Sequence, residues 1–266
     1  MKRNSVTAVE TCPEKIREKL GLITTPDITV NMRCYEGPDK RGHYNLPVHR
    51  EYVDEPAEDM RDSHWFDKVL YNFRYEYIQL PRDTDRRIPY AVYLMEPLVR
   101  LGRTTITGGF NWVVMGTLEN GEKYAAILDV EVRPMLRGCS LMTLMKLEEI
   151  ELARREKCDF IQTWHWSDNP SFIAAIAPGL SAGFGLYHGD RKDGEQYEDK
   201  GCVHLRYYFD RKKMKKVRVV FRDGAEFESP RNNSEIIDYL KRFTKYPGRA
   251  ITKIEGYERE YSHKIY

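Results

Sequence analysis

Ile127 to Phe184 reads ILDVEVRPMLRGCSLMTLMKLEEIELARREKCDFIQTWHWSDNPSFIAAIAPGLSAGF. An apolar strand runs into Val132-Arg133-Pro134 and is followed by a tight turn, Arg137-Gly138-Cys139-Ser140. The spacing then predicts a long helix over 140–156 and a second apolar strand over 159–166. Asn169, a short helix and Gly183-Phe184 complete the stretch. A strand that feeds a short turn into a helix can hold an anion. The first N–H groups of the helix have no partner within it, and the helix dipole favours negative charge there.

Upstream, Phe110–Leu118 and Lys123–Arg133 form a hairpin around Glu119-Asn120-Gly121, whose Asn-Gly pair tolerates positive φ. The helix 140–156 places Leu141, Leu144, Met145, Leu147, Ile150 and Leu152 on one broad face suited to lying on a sheet. Glu151 and Arg155 can pair at i,i+4 outside it. Together these elements predict an α/β (α+β) chain with a mixed sheet. The sheet is antiparallel through the hairpin and reaches 159–166 by a crossover helix.

The order of elements resembles the GCN5-related N-acetyltransferase (GNAT) superfamily. That family carries an Arg/Gln-x-x-Gly-x-Gly/Ala turn after its central strand. Arg137 and Gly138 fit the turn, while Ser140 and Met142 stand where the family has Gly and Gly or Ala. Val132-x-Pro134 before the turn and Asn169 with Gly183-Phe184 after it extend the likeness, which covers roughly residues 70–210.

The resemblance implies an acyl-CoA N-acyltransferase fold, with acetyl-CoA or another acyl-CoA as cofactor and a small-molecule or protein amine as acceptor. Arg137, Gly138, Cys139, Ser140, Leu141 and Met142 would cradle the pyrophosphate. Val130 and Val132 would pair with the pantetheine arm by backbone hydrogen bonds, and Asn169 would bond that arm or the sheet. Glu131 lies on the strand where the family often keeps its general base. The family also places a tyrosine in the helix after the Asn, as acid for the departing thiolate. Here Ile176 or Ala177 stands near that place and Pro178-Gly179 interrupts the segment, so Tyr187 becomes the candidate acid.

Each residue also has a plainer reading. The turn can be an ordinary connection with Cys139 or Ser140 near a helix N-cap. Glu131 can be an ion-pair partner of Arg133 or Lys123, and Tyr187 a half-buried aromatic. Asn169 can be the N-cap of a helix opening at Pro170. Cys139 at a helix N-terminus could carry a depressed pKa and act as a nucleophile. His165, between Trp164 and Trp166, could titrate near neutral pH.

Three segments follow along the chain: an N-terminal arm over 1–55, a GNAT-like domain over 56–210, and a small β-β-α-β unit over 211–266. Within the arm, Pro13–Leu20 reads as a helix closed by Gly21, Ile28–Cys34 as a strand, and 36–56 as a surface stretch. A helix over 57–72 and strands over 73–80 and 88–96 follow. Val203–Phe209 is a further strand, and the basic run 211–216 marks a boundary. Hairpin 217–228, a helix from Asn233 or Ser234 to about Phe243, and a strand over 251–257 make up the last unit.

Bulk properties exclude several classes. Lys+Arg 43 against Asp+Glu 41 leaves a net charge of +2, which supplies no general attraction to nucleic acid or membrane. The basic run can touch nucleic acid, but a solvated linker face accounts for it. Five cysteines without a Cys-x-x-Cys pair point away from a disulfide framework or zinc site and toward a reducing, cytoplasmic setting. No apolar run reaches the length of a membrane span. Two further readings stay open. One is a GNAT-fold binding module without catalysis. The other is a GNAT-fold enzyme that modifies nucleic acid or uses a non-CoA acyl donor.

Overall fold

A computed structural model describes residues 4–36, 91–118, 120–187 and 202–256. The readings of 57–72 as a helix and 73–80 as a strand lie outside them, as do 37–56, Glu119 and the first residues of the strand at 88–96. The chain divides into two compact units, Met1–Glu149 and Ile150–Tyr266.

The first unit opens with α1 (Asn4–Leu20). Gly21, at φ +61, closes it as the sequence suggests. The helix starts earlier than expected, and Pro13 sits inside it rather than in its first turn. β1 (Asp27–Glu36), β2 (Ala91–Leu101), β4 (Gly109–Thr117) and β5 (Lys123–Val132) then lie side by side as antiparallel neighbours. The short β3 (Thr104–Thr107) folds back on β2. The Asn120-Gly121 hairpin forms, with Gly121 at φ +84 and its N–H donating to the Leu118 carbonyl at 2.9 Å.

α2 (Leu141–Arg155) follows the turn after β5. The N-terminal part of its apolar stripe meets α1 and the strands in one buried cluster: Cys12, Ile16, Val99, Ile106, Val132, Leu136, Cys139, Leu141, Leu144 and Met145. Leu147 is only half-buried, while Lys146 and Glu149 are almost wholly closed from water. They pair at 3.1 Å, and Asn111 on β4 donates to Glu149 Oε1. The exposed pairing also differs from expectation: Glu151 pairs with Arg154, one residue nearer than Arg155.

The second unit contains β6 (Phe160–Trp166), α3 (Phe172–Ser181), β7 (Gly185–Tyr187) and β8 (Cys202–Tyr208). β8 lies between β6 and β7, antiparallel to both. α3 runs through Pro178 instead of breaking there. Proline removes the bond to the carbonyl four residues earlier. That residue, Ala174, is exposed, so water can take the donor's place.

β9 (Val217–Phe221), β10 (Glu226–Ser229), α4 (Asn233–Leu240) and β11 (Ile251–Gly256) form the β-β-α-β piece. Its sheet order is β10-β9-β11. α4 ends at Leu240, three residues short of the expected Phe243, and the chain continues in tight turns.

Asn233 ties this piece to α3. Its Nδ2 donates to the carbonyls of Leu180 at 3.1 Å and Phe184 at 2.7 Å. Ser229 Oγ donates to Asn233 Oδ1 at 2.8 Å and accepts from the Leu186 N–H at 2.9 Å. Asn233→Ala would leave two buried carbonyls without that donor. It is expected to cost about 2–3 kcal/mol, read as a lower urea midpoint at unchanged slope. A loss below about 0.5 kcal/mol would show that water replaces the amide.

Candidate functional site

The site in the first unit begins with a mismatch between β4 and β5. Asn111 faces Val130 and Val113 faces Ile127, so β5 carries one residue more than β4 opposite Trp112. An extra residue bends its strand and re-aims the side chains beyond it. After this bulge Val130 and Val132 point into the cluster with α1 and α2. By alternation Glu131 takes the other face. Just past the bulge, Gly109 pairs with Val132, and a Cβ on Gly109 would stand 2.3 Å from the Glu131 carbonyl oxygen. Only glycine permits that approach.

β5 ends in a single 3₁₀ turn, Pro134–Leu136, which delivers the chain to Arg137. Gly138 adopts φ +81 and Ser140 φ +63. The first bond of α2 runs from the Leu144 N–H to the Ser140 carbonyl at 3.1 Å. The N–H groups of Leu141, Met142 and Thr143 lie ahead of it, as donors of a first helical turn do. A Cβ on Gly138 would meet nothing within 4 Å, so the approach to this turn is open.

The side chains of the turn divide between core and surface. Cys139 and Leu141 are buried in the cluster, and Met142 lies half-buried against it. These residues can offer a ligand their backbone only. Burial raises the Cys139 thiol pKa although Lys19 and Lys15 pull it down, and the thiol donates to the Lys15 carbonyl at 3.7 Å. This opposes the nucleophilic reading of Cys139. Arg137 and Gly138 are exposed. Ser140 does not cap the helix through its side chain; its Oγ accepts from Lys15 Nζ at 2.6 Å.

Two members of this cluster had no signal in the local sequence. Lys15 and Lys19, one turn apart on α1, both reach the turn. Lys19 Nζ donates to the Arg137 carbonyl. Neither lysine is paired with a carboxylate among the described residues. Only the i,i+4 spacing of the two could have drawn attention to them.

Glu131 has an ion-pair partner, but it is Arg137 rather than Arg133 or Lys123. Arg137 Nη2 lies 2.8 Å from Glu131 Oε1, and Arg137 Nε donates to the Val132 carbonyl at 3.1 Å. Arg133 is instead buried and donates from Nε to the Thr107 carbonyl. Burial holds the Glu131 carboxyl above its ordinary pKa, against the opposing pull of Arg137 and the Val132 N–H.

Asn169 and Tyr187 belong to the second unit. Asn169 Oδ1 accepts from the Ser171 N–H at 2.8 Å, and α3 begins only at Phe172. Asn169 therefore shapes the turn before the helix instead of capping a helix at Pro170. Tyr187 is half-buried at the end of β7, with the Arg206 guanidinium 3.6 Å from its ring centroid. Arg206 also donates to Gln162 Oε1 and to the Tyr208 hydroxyl, both at 2.8 Å.

No family model matches the sequence, and no curated protein is similar enough to pair with it. Solved structures do resemble it. A Bacillus subtilis acetyltransferase in complex with CoA is 14% identical over 69% of this chain and 99% of its own, at a TM-score of 0.36. Arabidopsis thaliana Naa50 with a bisubstrate analogue is 13% identical over 68% and 99%, also at 0.36. A GNAT-family acetyltransferase from Listeria monocytogenes is 14% identical over 57% and 83%, at 0.33. At such identities and scores, the residues of the chain itself must carry the functional reading.

Proposed function

We propose that the chain is a divergent GNAT-fold N-acyltransferase that uses acyl-CoA, with the turn 137–142 as its phosphate site and Glu131 as its base. One observation carries the reading: Lys15, Lys19 and Arg137 converge on an open turn at a helix N-terminus, and among the described residues the ammonium groups of both lysines have only neutral oxygens as partners. Cations and first-turn N–H donors are the chemistry a pyrophosphate requires. Val130, Val132, Asn169 and Tyr187 keep the pantetheine and acid roles the resemblance gives them. The thioester, when bound, supplies an acyl group already activated for transfer.

The protein's own work is then positioning and proton transfer. An ammonium must lose a proton before its nitrogen can attack. Glu131, raised by burial, is suited to accept it. Arg137 must turn from Glu131 toward phosphate for both residues to act.

Thermal denaturation with and without coenzyme A tests this reading. Ligand at 100 times its dissociation constant should stabilise the protein by about 2.7 kcal/mol. Gly138→Asp places a carboxylate at the turn and should weaken binding at least tenfold relative to Gly138→Asn, which carries the same strain of a side chain at φ +81 without the charge. Absence of any coenzyme A binding at millimolar concentration would favour the non-catalytic binding module instead.

A further inference from the structure

Charge is unevenly distributed along a chain whose net is only +2. Residues 211–256 hold 13 lysines and arginines against 6 acidic residues, a net of +7, so the rest of the chain sums to −5. Part of this excess is neutralised on the outer sheet face, where Arg218 pairs with Glu226 and Glu255.

Five of the cations lie in the run 211–216, and four others gather at one end of the β-β-α-β piece. Arg222 follows β9, Arg242 and Lys245 follow α4, and Arg249 precedes β11. All four are exposed. Arg222 Nη2 donates to the Arg249 carbonyl at 3.1 Å, and the Arg222 N–H to the Ala250 carbonyl at 2.9 Å, which draws these loops together.

Acidic groups at this end do not cancel the cations. Asp223 accepts from the Tyr239 hydroxyl and also faces Arg242. Asp168 lies 3.7 Å from Arg249, and Asp238 pairs with Lys241 at 2.7 Å. Arg222 and Lys245 have no carboxylate partner among the described residues.

Aromatic groups lie among the cations. The Tyr246 ring has Lys245 5.6 Å and Arg249 4.8 Å from its centroid. The loop after β6 reaches the same end, since a Cβ on Gly248 would stand 2.6 Å from Ser167 Cα. Ser167 follows Trp166, which is 55% exposed; among the described residues only Ile23 is another large hydrophobic so open to water. The indole stands on the strand that leads into this basic end and is more open to water than packing requires.

We propose that this end of the second unit binds single-stranded nucleic acid. Arg222, Arg242, Lys245 and Arg249 contact phosphates, and unpaired bases stack on Trp166 and Tyr246. Stacking platforms within a basic surface are how single strands are held without sequence preference. A duplex hides its bases, and an acidic peptide gains nothing from the indole. The surface lies wholly in the second unit, and none of its cations or aromatic rings has a role in the proposed acyl transfer.

The test is fluorescence anisotropy of the full chain with a labelled single-stranded oligonucleotide of about 20 thymidines, titrated across salt. Binding should strengthen as salt falls, and the duplex should bind more weakly. The triple variant Arg222→Gln, Arg242→Gln, Lys245→Gln removes three phosphate contacts, so the slope of log K against log salt should shrink by about 2. Trp166→Ala should weaken binding about tenfold at an unchanged melting temperature. Lack of binding at low salt would overturn the proposal, as would Trp166→Ala binding like the wild type. So would polyglutamate competing as well as the oligonucleotide, which would assign the surface to an acidic protein.

Discussion

Lys146→Met is expected to cost about 3–5 kcal/mol at pH 8, because it strands a carboxylate in a closed interior. Glu149 is fully buried, with Lys146 at 3.1 Å and Asn111 as its partners. Asn111 alone cannot stabilise a full negative charge there. The loss should shrink toward pH 5, where Glu149 can take up a proton instead of remaining charged. Even with Lys146 present, burial pushes the Glu149 pKa from 4.5 to about 7. Between those values the folded chain holds a proton that the unfolded chain has released. The stability contributed by this group is therefore full below about 4.5, falls as the pH rises, and is gone above about 7. Glu149→Gln should flatten that part of the pH profile. The double replacement Lys146→Met, Glu149→Leu should recover most of the loss, since a buried ion pair is seldom more stable than apolar groups of similar volume. Urea denaturation at pH 5 and pH 8 decides the matter. An equal loss at both would mean that Glu149 is not the stranded charge.

That pair also shows where sequence reasoning stops. Strands β4, β5, β6 and β8, the Asn-Gly hairpin and the helix at 141–155 are legible because each rests on local signals: alternation, turn chemistry, and apolar spacing near 3.6. Lys146 and Glu149 fall beside Met145 and Ile150 on the same helix, and a reading that assigns charged residues to the outside cannot place them in the core. The bulge in β5 was invisible because Leu128-Asp129 carries no glycine or other turn residue. Local spacing also could not place Lys15 against Ser140, which is 125 positions away. Glu131 and Arg137 are both candidates by sequence, yet nothing in their spacing shows that they bond to each other. The basic end of the second unit was hidden in a different way, because a net charge averages over regions of opposite sign.

Glu131→Gln is expected to lower turnover with a competent amine by roughly 10²–10⁴-fold, the usual loss when a general base is removed. The fold should scarcely notice. The ion pair joins side chains that are 54% and 32% exposed, and pairs so open to solvent are worth about 0–1 kcal/mol. Binding of coenzyme A should hold or tighten, because glutamine releases the Arg137 guanidinium that Glu131 otherwise keeps. The pH profile separates a base from a mere partner of Arg137. A base must be ionised, so wild-type turnover should fall as the pH drops through the raised Glu131 pKa, and the variant should lose that dependence. If Arg137 alone mattered, Arg137→Gln and Glu131→Gln would change coenzyme A affinity in opposite directions while turnover at saturation stayed level. If Glu131 were structural, the variant would lose several kcal/mol and its melting temperature would fall before any kinetics could be read. Reduced turnover, sound folding and undiminished coenzyme A binding occur together only if Glu131 takes the proton.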